Sequence, residues 1–148
     1  MTGLTENADE EIEISFPVSF TVKGTPVSSQ STTTRSKNSW KGEVQSAARL
    51  VVPAYKWCSE VDVSITIYDF PTDNPQGDVD NIVKLIQDAL IGIVYIDDRS
   101  VRRVVAQRFL PLETADMNPL PDLVAEALVE DPPFVYIRIN VDPLEDAQ

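Results

Sequence analysis

The sequence of 148 residues contains no histidine at all. This absence excludes Ser-His-Asp and Cys-His nucleophilic catalysis, nucleases of the HNH type and zinc sites that use histidine ligands. Any acid–base or metal chemistry in this chain must therefore depend on carboxylates, lysine and water.

Cysteine and long apolar runs are also scarce. The one cysteine, Cys58, excludes an internal disulfide and is typical of a reducing compartment such as the cytoplasm. No segment reaches the roughly 18 apolar residues that a membrane span needs, and the acidic N-terminus does not resemble a signal peptide. We therefore expect a cytoplasmic chain without a membrane partner. A hydrophobic content of 43% over this length fits one domain with a modest core.

Negative charge dominates the chain but is concentrated at its two ends. The formal net charge is −12, of which residues 1–15 carry −5 and residues 113–148 carry −8, whereas residues 16–112 carry +1. Phosphate binding depends on Lys and Arg, so only the middle of the chain is suited to nucleic acid. We predict a disordered acidic N-terminus at 1–11 and an acidic tail at 143–148, which are either solvated, shield the middle or contact a partner.

The pattern of apolar residues predicts a single domain over residues 12–142. Alternating positions indicate strands, and positions repeating every three to four residues indicate helices. Pro17 lies in the middle of the first predicted strand, so that strand is either an edge strand or is broken there. Turn-forming and polar residues predict two loops, a long flexible one at 23–39 and a turn-rich one at 70–77. The predicted strands are 12–22, 61–68, 101–110 and 134–141; the two main helices are 40–52 and 79–91; a short helix is an option at 121–129. This order, β-α-β-α-β-β, predicts an α/β (α+β) fold with a mixed sheet and two main helices packed on it.

The predicted helix at 79–91 has one polar face. On a helical wheel, Asp80, Lys84, Gln87 and Asp88 share that face, with Asn81 at its edge, and apolar residues cover the opposite face. Each acid has an ordinary structural explanation, because aspartates commonly cap helices and form ion pairs with a lysine four residues away. The ridge is therefore either a solvated helix face or part of a site.

Three carboxylates are expected to meet at one end of this helix. Asp78 stands at the predicted N-cap and Asp80 in the first turn, and the chain returns through Gly92 to Asp97 and Asp98. Carboxylates so close repel one another unless a cation neutralises them, and oxygen ligands without His or Cys suit Mg²⁺ or Mn²⁺. Such ions activate water and hold phosphate oxygens, so phosphodiester hydrolysis is the chemistry that this set favours.

The same segment resembles a known family signature. Asp-x-Asp-Asn-x-x-Lys-x-x-x-Asp-Ala-Leu at residues 78–90, followed by Asp97-Asp98, is similar to the motif of the RusA-like Holliday-junction resolvases. The resemblance extends more weakly over residues 16–141. It implies a Mg²⁺-dependent endodeoxyribonuclease of a bacterial or phage-infected cell. It also implies a homodimer that nicks opposite strands of a four-way DNA junction.

The resemblance also implies a role for each motif residue. Asp78, Asp80 and Asp98 match the metal-binding catalytic aspartates, and Lys84 matches the catalytic lysine. Three further positions match supporting residues, namely Asn81, Asp88 and Asp97.

Basic residues on either side of the motif are candidates for contacts with DNA. They are Arg35, Lys37, Lys41, Arg99, Arg102 and Arg103. If strand alternation begins at Arg99, that residue and Arg103 share one face and Arg102 and Arg108 the other. Solvated strand-edge charges are the competing interpretation. Trp40 and Trp57 are expected to pack in the domain; the alternative is that they stack on DNA bases.

Three functional hypotheses follow from these patterns. The first is a Mg²⁺-dependent, structure-selective endonuclease of the RusA type. The second is a RusA-derived module that binds a protein partner through its acidic surface and has weak or no nuclease activity. The third is an unrelated acidic module in which the carboxylates hold a structural Mg²⁺ or Ca²⁺.

Overall fold

A computed structural model of the chain describes residues 13–73, 75, 77–111, 113 and 120–141. The predicted acidic segments 1–11 and 143–148 lie outside these residues. The strands are β1 (Val18–Lys23), β2 (Val63–Phe70), β3 (Val101–Arg108) and β4 (Phe134–Asn140), and the α-helices are α1 (Thr34–Val51), α2 (Val83–Leu90) and α3 (Asp122–Val129). Two short 3₁₀ turns, Val79–Ile82 and Asp98–Ser100, precede α2 and β3.

The four strands form one mixed sheet in the order β1-β4-β2-β3. β4 is antiparallel to both of its neighbours, whereas β2 and β3 are parallel. Parallel neighbours need a crossover connection, and the segment that contains α2 supplies it. The predicted mixed sheet with helices packed on it is therefore confirmed, and the motif segment is the crossover between two adjacent strands.

The two faces of the sheet are covered by different helices. Alternate strand residues such as Ile65, Ile67 and Ile137 form the main core with Trp40, Val44 and Ala48 of α1 and the apolar face of α2. The other face carries a smaller aromatic cluster under α3, in which the Phe70 and Phe134 rings stack with centroids 4.7 Å apart. The motif helix is thus held against a rigid sheet by its apolar face, as its periodicity predicts.

Two element boundaries differ from the sequence prediction at the start of the chain. α1 begins at Thr34, inside the segment predicted as a flexible loop. The sequence prediction missed this first turn because the turn is polar and largely exposed and carries no apolar signal. β1 begins at Val18, directly after Pro17, so the proline precedes the strand and does not divide it, and β1 lies at an edge of the sheet, which confirms the edge alternative.

Two further differences concern the helices. The optional helix at 121–129 exists as α3, which adds a third helix between the last two strands. The predicted helix at 79–91 begins as a 3₁₀ turn and becomes α-helical only from Val83. Within the part of the chain that the structure describes, no helix has the length and apolarity to cross a membrane.

Candidate active site

The site begins where the loop after β2 enters the 3₁₀ turn. Asp78 occupies the N-cap position with extended backbone angles, but its side chain makes no capping hydrogen bond. The turn closes through the backbone instead, since Asn81 N donates to the Asp78 carbonyl at 3.1 Å. Asp78 and Asp80 are both exposed. The Asp78 carboxylate therefore does not act as the helix cap that its sequence position suggests, and it is available to a ligand.

Lys84 connects the motif helix to the acidic pair that follows it. Its Nζ lies 3.0 Å from Asp88 Oδ1 and 3.3 Å from Asp98 Oδ2. The hydrogen bonds that Lys84 donates to Asp88 and then to Asp98 raise the pKa of Lys84. No ion pair joins Lys84 to Asp80 within the described ranges. The structure thus brings together the predicted lysine and the predicted third aspartate, although they are 14 positions apart.

The two adjacent aspartates have different partners. Asp97 accepts a hydrogen bond from Arg99 N at 3.1 Å and caps the 3₁₀ turn, and it also accepts from the Arg99 guanidinium at 3.1 and 3.2 Å. A hydrogen bond with Asp98, followed by those from Arg99, lowers the pKa of Asp97 to about 2. Asp97 is therefore used locally, and Asp98 is the member of the pair that contacts Lys84.

A tight turn after α2 sets the distance between Lys84 and Asp98. Gly92 adopts φ +83° at the start of this turn, and its N–H donates to the Tyr95 carbonyl at 2.7 Å. Tyr95 is fully buried, and its Oη donates to the Gln87 carbonyl at 2.6 Å. Burial raises the pKa of Tyr95, and the Asp88 and Asp98 carboxylates raise it further. Tyr95 was missed by sequence reasoning; its one signal is a polar tip inside the apolar run 93–96.

We expect Tyr95→Phe to lower the free energy of unfolding by about 1 kcal/mol, because the Gln87 carbonyl loses a partner in a half-buried position. Urea denaturation followed by circular dichroism measures the change. Tyr55→Phe is the matched control, since Tyr55 is 65% exposed and its substitution should leave the midpoint unchanged. An unchanged midpoint for Tyr95→Phe as well would show that this hydrogen bond does not stabilise the turn.

The three predicted metal ligands are not gathered at one point. The described residues contain no group of three or more Cys, Asp or Glu side chains close enough to hold a metal ion together. The donor chemistry still suits a hard divalent cation, because exposed carboxylates are the available ligands and Asp78 makes no capping bond. Repulsion between carboxylates is relieved by positive charge, and the Lys84 ammonium supplies it to Asp88 and Asp98.

A cavity of about 110 Å³ lies beside Asp78 and Asn81. Its wall includes Thr25 and Pro26 after β1, and Ser29 N in the following loop donates to the Asn81 carbonyl at 2.8 Å. Asp69 and Arg108, at the ends of β2 and β3, also line it. The sequence did not indicate Asp69, and it indicated Arg108 only as a basic residue after the acidic pair, because the two strands that bring them together are far apart along the chain.

Comparison with protein-family models identifies the chain. The model of endodeoxyribonuclease RusA matches residues 18–139, which is most of the sequence and includes every motif position. The chain belongs to the RusA endodeoxyribonuclease family. A search of curated proteins gave no match. The family match excludes the third hypothesis, an unrelated ion-binding module.

The basic candidates of this RusA-family chain are spread over three places. Arg35, Lys37 and Lys41 lie on α1, and Arg35 borders an open groove together with Lys23. Near β3, Arg102 pairs with Asp62 at 3.3 Å. Arg99 lies in the 3₁₀ turn before β3, so the predicted shared strand face with Arg103 is wrong.

Arg103 lies on the sheet face opposite to α2, in a cavity lined by Tyr68, Tyr136 and Arg138. It is therefore separated from the RusA motif by the sheet. Trp40 is 4% exposed and packs in the core, as predicted, whereas Trp57 is 64% exposed. Among the basic candidates, those of α1 form a group on a helix that borders an open groove, which is the arrangement that a phosphate-binding surface needs.

Proposed function

We propose that this RusA-family protein is a Mg²⁺-dependent, structure-selective endodeoxyribonuclease that resolves Holliday junctions by paired, symmetric hydrolysis of phosphodiesters during DNA recombination and repair. The observation that carries the proposal is the contact between Lys84 and Asp98, at 3.3 Å, inside a family match over residues 18–139. Lys84 and Asp98 are 14 positions apart, so their contact depends on the turn between α2 and β3 and not on neighbouring positions of one helix.

The residues have separate roles in the proposed reaction. Asp78, Asp80 and Asp98 would hold the cation through carboxylate oxygens, with Mn²⁺ as an alternative to Mg²⁺. When bound, the cation supplies an activated water and charge stabilisation at the leaving oxygen. Lys84 carries an ammonium at neutral pH, as an ordinary lysine does, and its two carboxylate partners raise its pKa further. It therefore presents positive charge to the phosphate as negative charge develops there.

Binding of the junction would depend on the basic middle of the chain. Arg35, Lys37 and Lys41, which lie on α1, would contact phosphates, and Arg99, Arg102 and Arg103 are further candidates. A homodimer with two-fold symmetry would present two sites to a junction with two-fold symmetry, which explains paired nicks. Affinity should fall as salt is raised because the contacts to phosphate are made by Lys and Arg, and deletion of the acidic segments 1–11 and 143–148 should steepen this fall only slightly.

A second function is favoured by the net charge of −12. In that case the protein is a RusA-derived module that binds a basic partner protein and has weak or no nuclease activity. It would retain the fold and the motif but bind DNA poorly. The two functions differ in one observable property, namely metal-dependent cutting of branched DNA.

The deciding experiment is incubation at low salt with a labelled immobile four-way junction in Mg²⁺, in Mn²⁺ and in EDTA. The control substrate is a linear duplex that contains the same arm sequences. Paired symmetric nicks in the junction that require the metal, with the linear duplex left intact, are the expected result. Binding without cutting, or no binding, would contradict the proposal and favour the acidic interaction module.

A further inference from the structure

A buried ion pair joins the ends of β2 and β3. Asp69 and Arg108 are paired in the parallel register, and Arg108 Nε donates to Asp69 Oδ2 at 3.0 Å. The Asp69 side chain is 2% exposed and that of Arg108 is 16% exposed. Phe109 N donates to the Asp69 carbonyl at 2.8 Å, which further ties the two strands together here.

Arg108 makes a second contact that reaches the motif. Its Nη1 donates to the Gly77 carbonyl at 2.9 Å, and Gly77 directly precedes Asp78. Gly77 has φ +95°, a conformation that other residues adopt with strain. One guanidinium therefore binds a buried carboxylate on one side and, on the other, the peptide that leads into the first predicted metal ligand.

Burying the two charges costs desolvation free energy, so the ion pair contributes little to folding stability and its role is a different one. Removing two charges from water offsets most of their mutual attraction, so buried ion pairs are weak contributors to folding. Asp69 Oδ1 is buried and has no hydrogen-bond partner among the described residues, and burial raises the pKa of Asp69 while Arg108 lowers it. What the pair provides is geometry: the planar fork of arginine fixes two acceptors relative to each other, which a lysine ammonium does not reproduce.

We propose that Asp69 and Arg108 are positioning residues that hold the Gly77 carbonyl and thereby set the Asp78 carboxylate for the divalent cation. This inference rests on the proposed function for the identity of the ligand. Asp78 makes no capping bond of its own, so its side chain is not held by the helix N-terminus. The backbone on either side therefore sets the position from which its carboxylate extends. Asn81 N anchors the Asp78 carbonyl on one side, and Arg108 anchors the preceding peptide on the other.

Arg108→Lys is the decisive variant, because it keeps a cation beside Asp69 but loses the fork that also binds Gly77. Asp69→Asn is the second variant: it keeps an acceptor for Arg108 while removing the charge. Asp62→Asn is the matched control, since it removes the exposed Asp62–Arg102 pair, which also ties the start of β2 to β3 and has no contact with the motif. Circular dichroism and thermal unfolding establish that each variant folds.

Mn²⁺ binding to the free protein, measured by electron paramagnetic resonance, is the primary readout. We expect Arg108→Lys to raise the dissociation constant for Mn²⁺ about 10- to 100-fold, the usual effect of losing a residue that orients a ligand. The Mg²⁺ concentration for half-maximal nicking should rise in parallel, while junction affinity in EDTA stays unchanged. Asp69→Asn should shift both values in the same direction by less, and Asp62→Asn should shift neither.

The outcomes separate this inference from the proposed function. Wild-type Mn²⁺ affinity in folded Arg108→Lys would overturn the positioning role even if the wild-type protein nicks junctions. A variant that only unfolds at a lower temperature, with an unchanged Mg²⁺ requirement, would show that the pair is merely structural and would overturn the positioning role too.

If the wild-type protein binds Mn²⁺ but cuts no junction, the proposed function fails, and the Mn²⁺ affinities still decide the role of Arg108. If the wild-type protein binds no Mn²⁺, both fail. Should Arg108→Lys not fold, the Mn²⁺ affinity of Asp69→Asn decides the inference alone.

Discussion

Asp80→Asn is expected to abolish junction cleavage. The substitution replaces a charged ligand of the proposed cation by a neutral amide of the same size, and loss of metal assistance worth several kcal/mol corresponds to a rate at least roughly 10³-fold lower. Junction binding should be unchanged or tighter, because a negative charge close to phosphate is removed. Single-turnover nicking and gel-shift binding in EDTA measure the two effects separately.

Asp122→Asn provides the control for this prediction. Asp122 also lies in the first turn of a helix and is exposed, so its substitution has the same effect on a helix dipole without touching the motif. Its cleavage rate should equal that of the wild type. Wild-type cleavage by Asp80→Asn would show that the proposed site is misplaced, whereas equal loss in both variants would indicate an effect on folding.

Lys84→Ala is expected to lower the single-turnover nicking rate by about 10²- to 10³-fold without unfolding the protein. The ammonium is proposed to stabilise charge that develops in the transition state, and removal of one such donor typically costs this much. Its ion pairs with Asp88 and Asp98 are largely exposed and contribute little to stability. Nicking kinetics at saturating Mg²⁺, together with thermal unfolding, test both parts of the prediction.

Two comparisons sharpen the Lys84 experiment. Lys84→Arg should recover part of the rate, because it restores the charge with a different shape. Lys56→Ala, a lysine outside the motif between α1 and β2, should nick at the wild-type rate. The two carboxylate partners raise the pKa of Lys84, so its ammonium should keep its proton until the pH exceeds 10.5, the ordinary pKa of lysine. Below that pH, wild-type activity should therefore not fall through loss of this proton. Loss of folding in Lys84→Ala would instead assign a structural role to the residue.

Local sequence patterns predicted the elements that local forces determine. The alternation of residues 61–68 predicted β2, and the apolar face of 79–91 correctly placed α2 on the sheet. The helical period likewise predicted pairs of Lys84 with Asp80 and with Asp88; the described residues show the Asp88 pair, at 3.0 Å, and no pair with Asp80. These features depend on residues at most four positions apart, so the sequence pattern contains nearly all of the relevant information.

Local patterns failed where the hydrogen bonds of the folded backbone overrule the preference of a single residue or turn. The first turn of α1 has no apolar residue, so its helical state depends on the helix that follows and not on its own pattern. Asp78 has the sequence position of a cap, yet backbone hydrogen bonds close the turn and its side chain makes no cap. Neither outcome is visible in spacing, because both depend on which competing hydrogen bonds the folded backbone satisfies.

The sequence alone therefore determined the class of fold and the family motif, and it predicts the kind of chemistry. Absence of histidine restricted that chemistry to carboxylates and lysine, and the motif identified the family, which the match over residues 18–139 confirms. Only the tertiary structure decided that Asp98, and not Asp97, contacts Lys84, and that Asp69 and Arg108 support the peptide before Asp78. The physical reason is distance along the chain: these contacts join residues 14 and 31 positions apart, and a buried turn and a parallel strand pair bring them together.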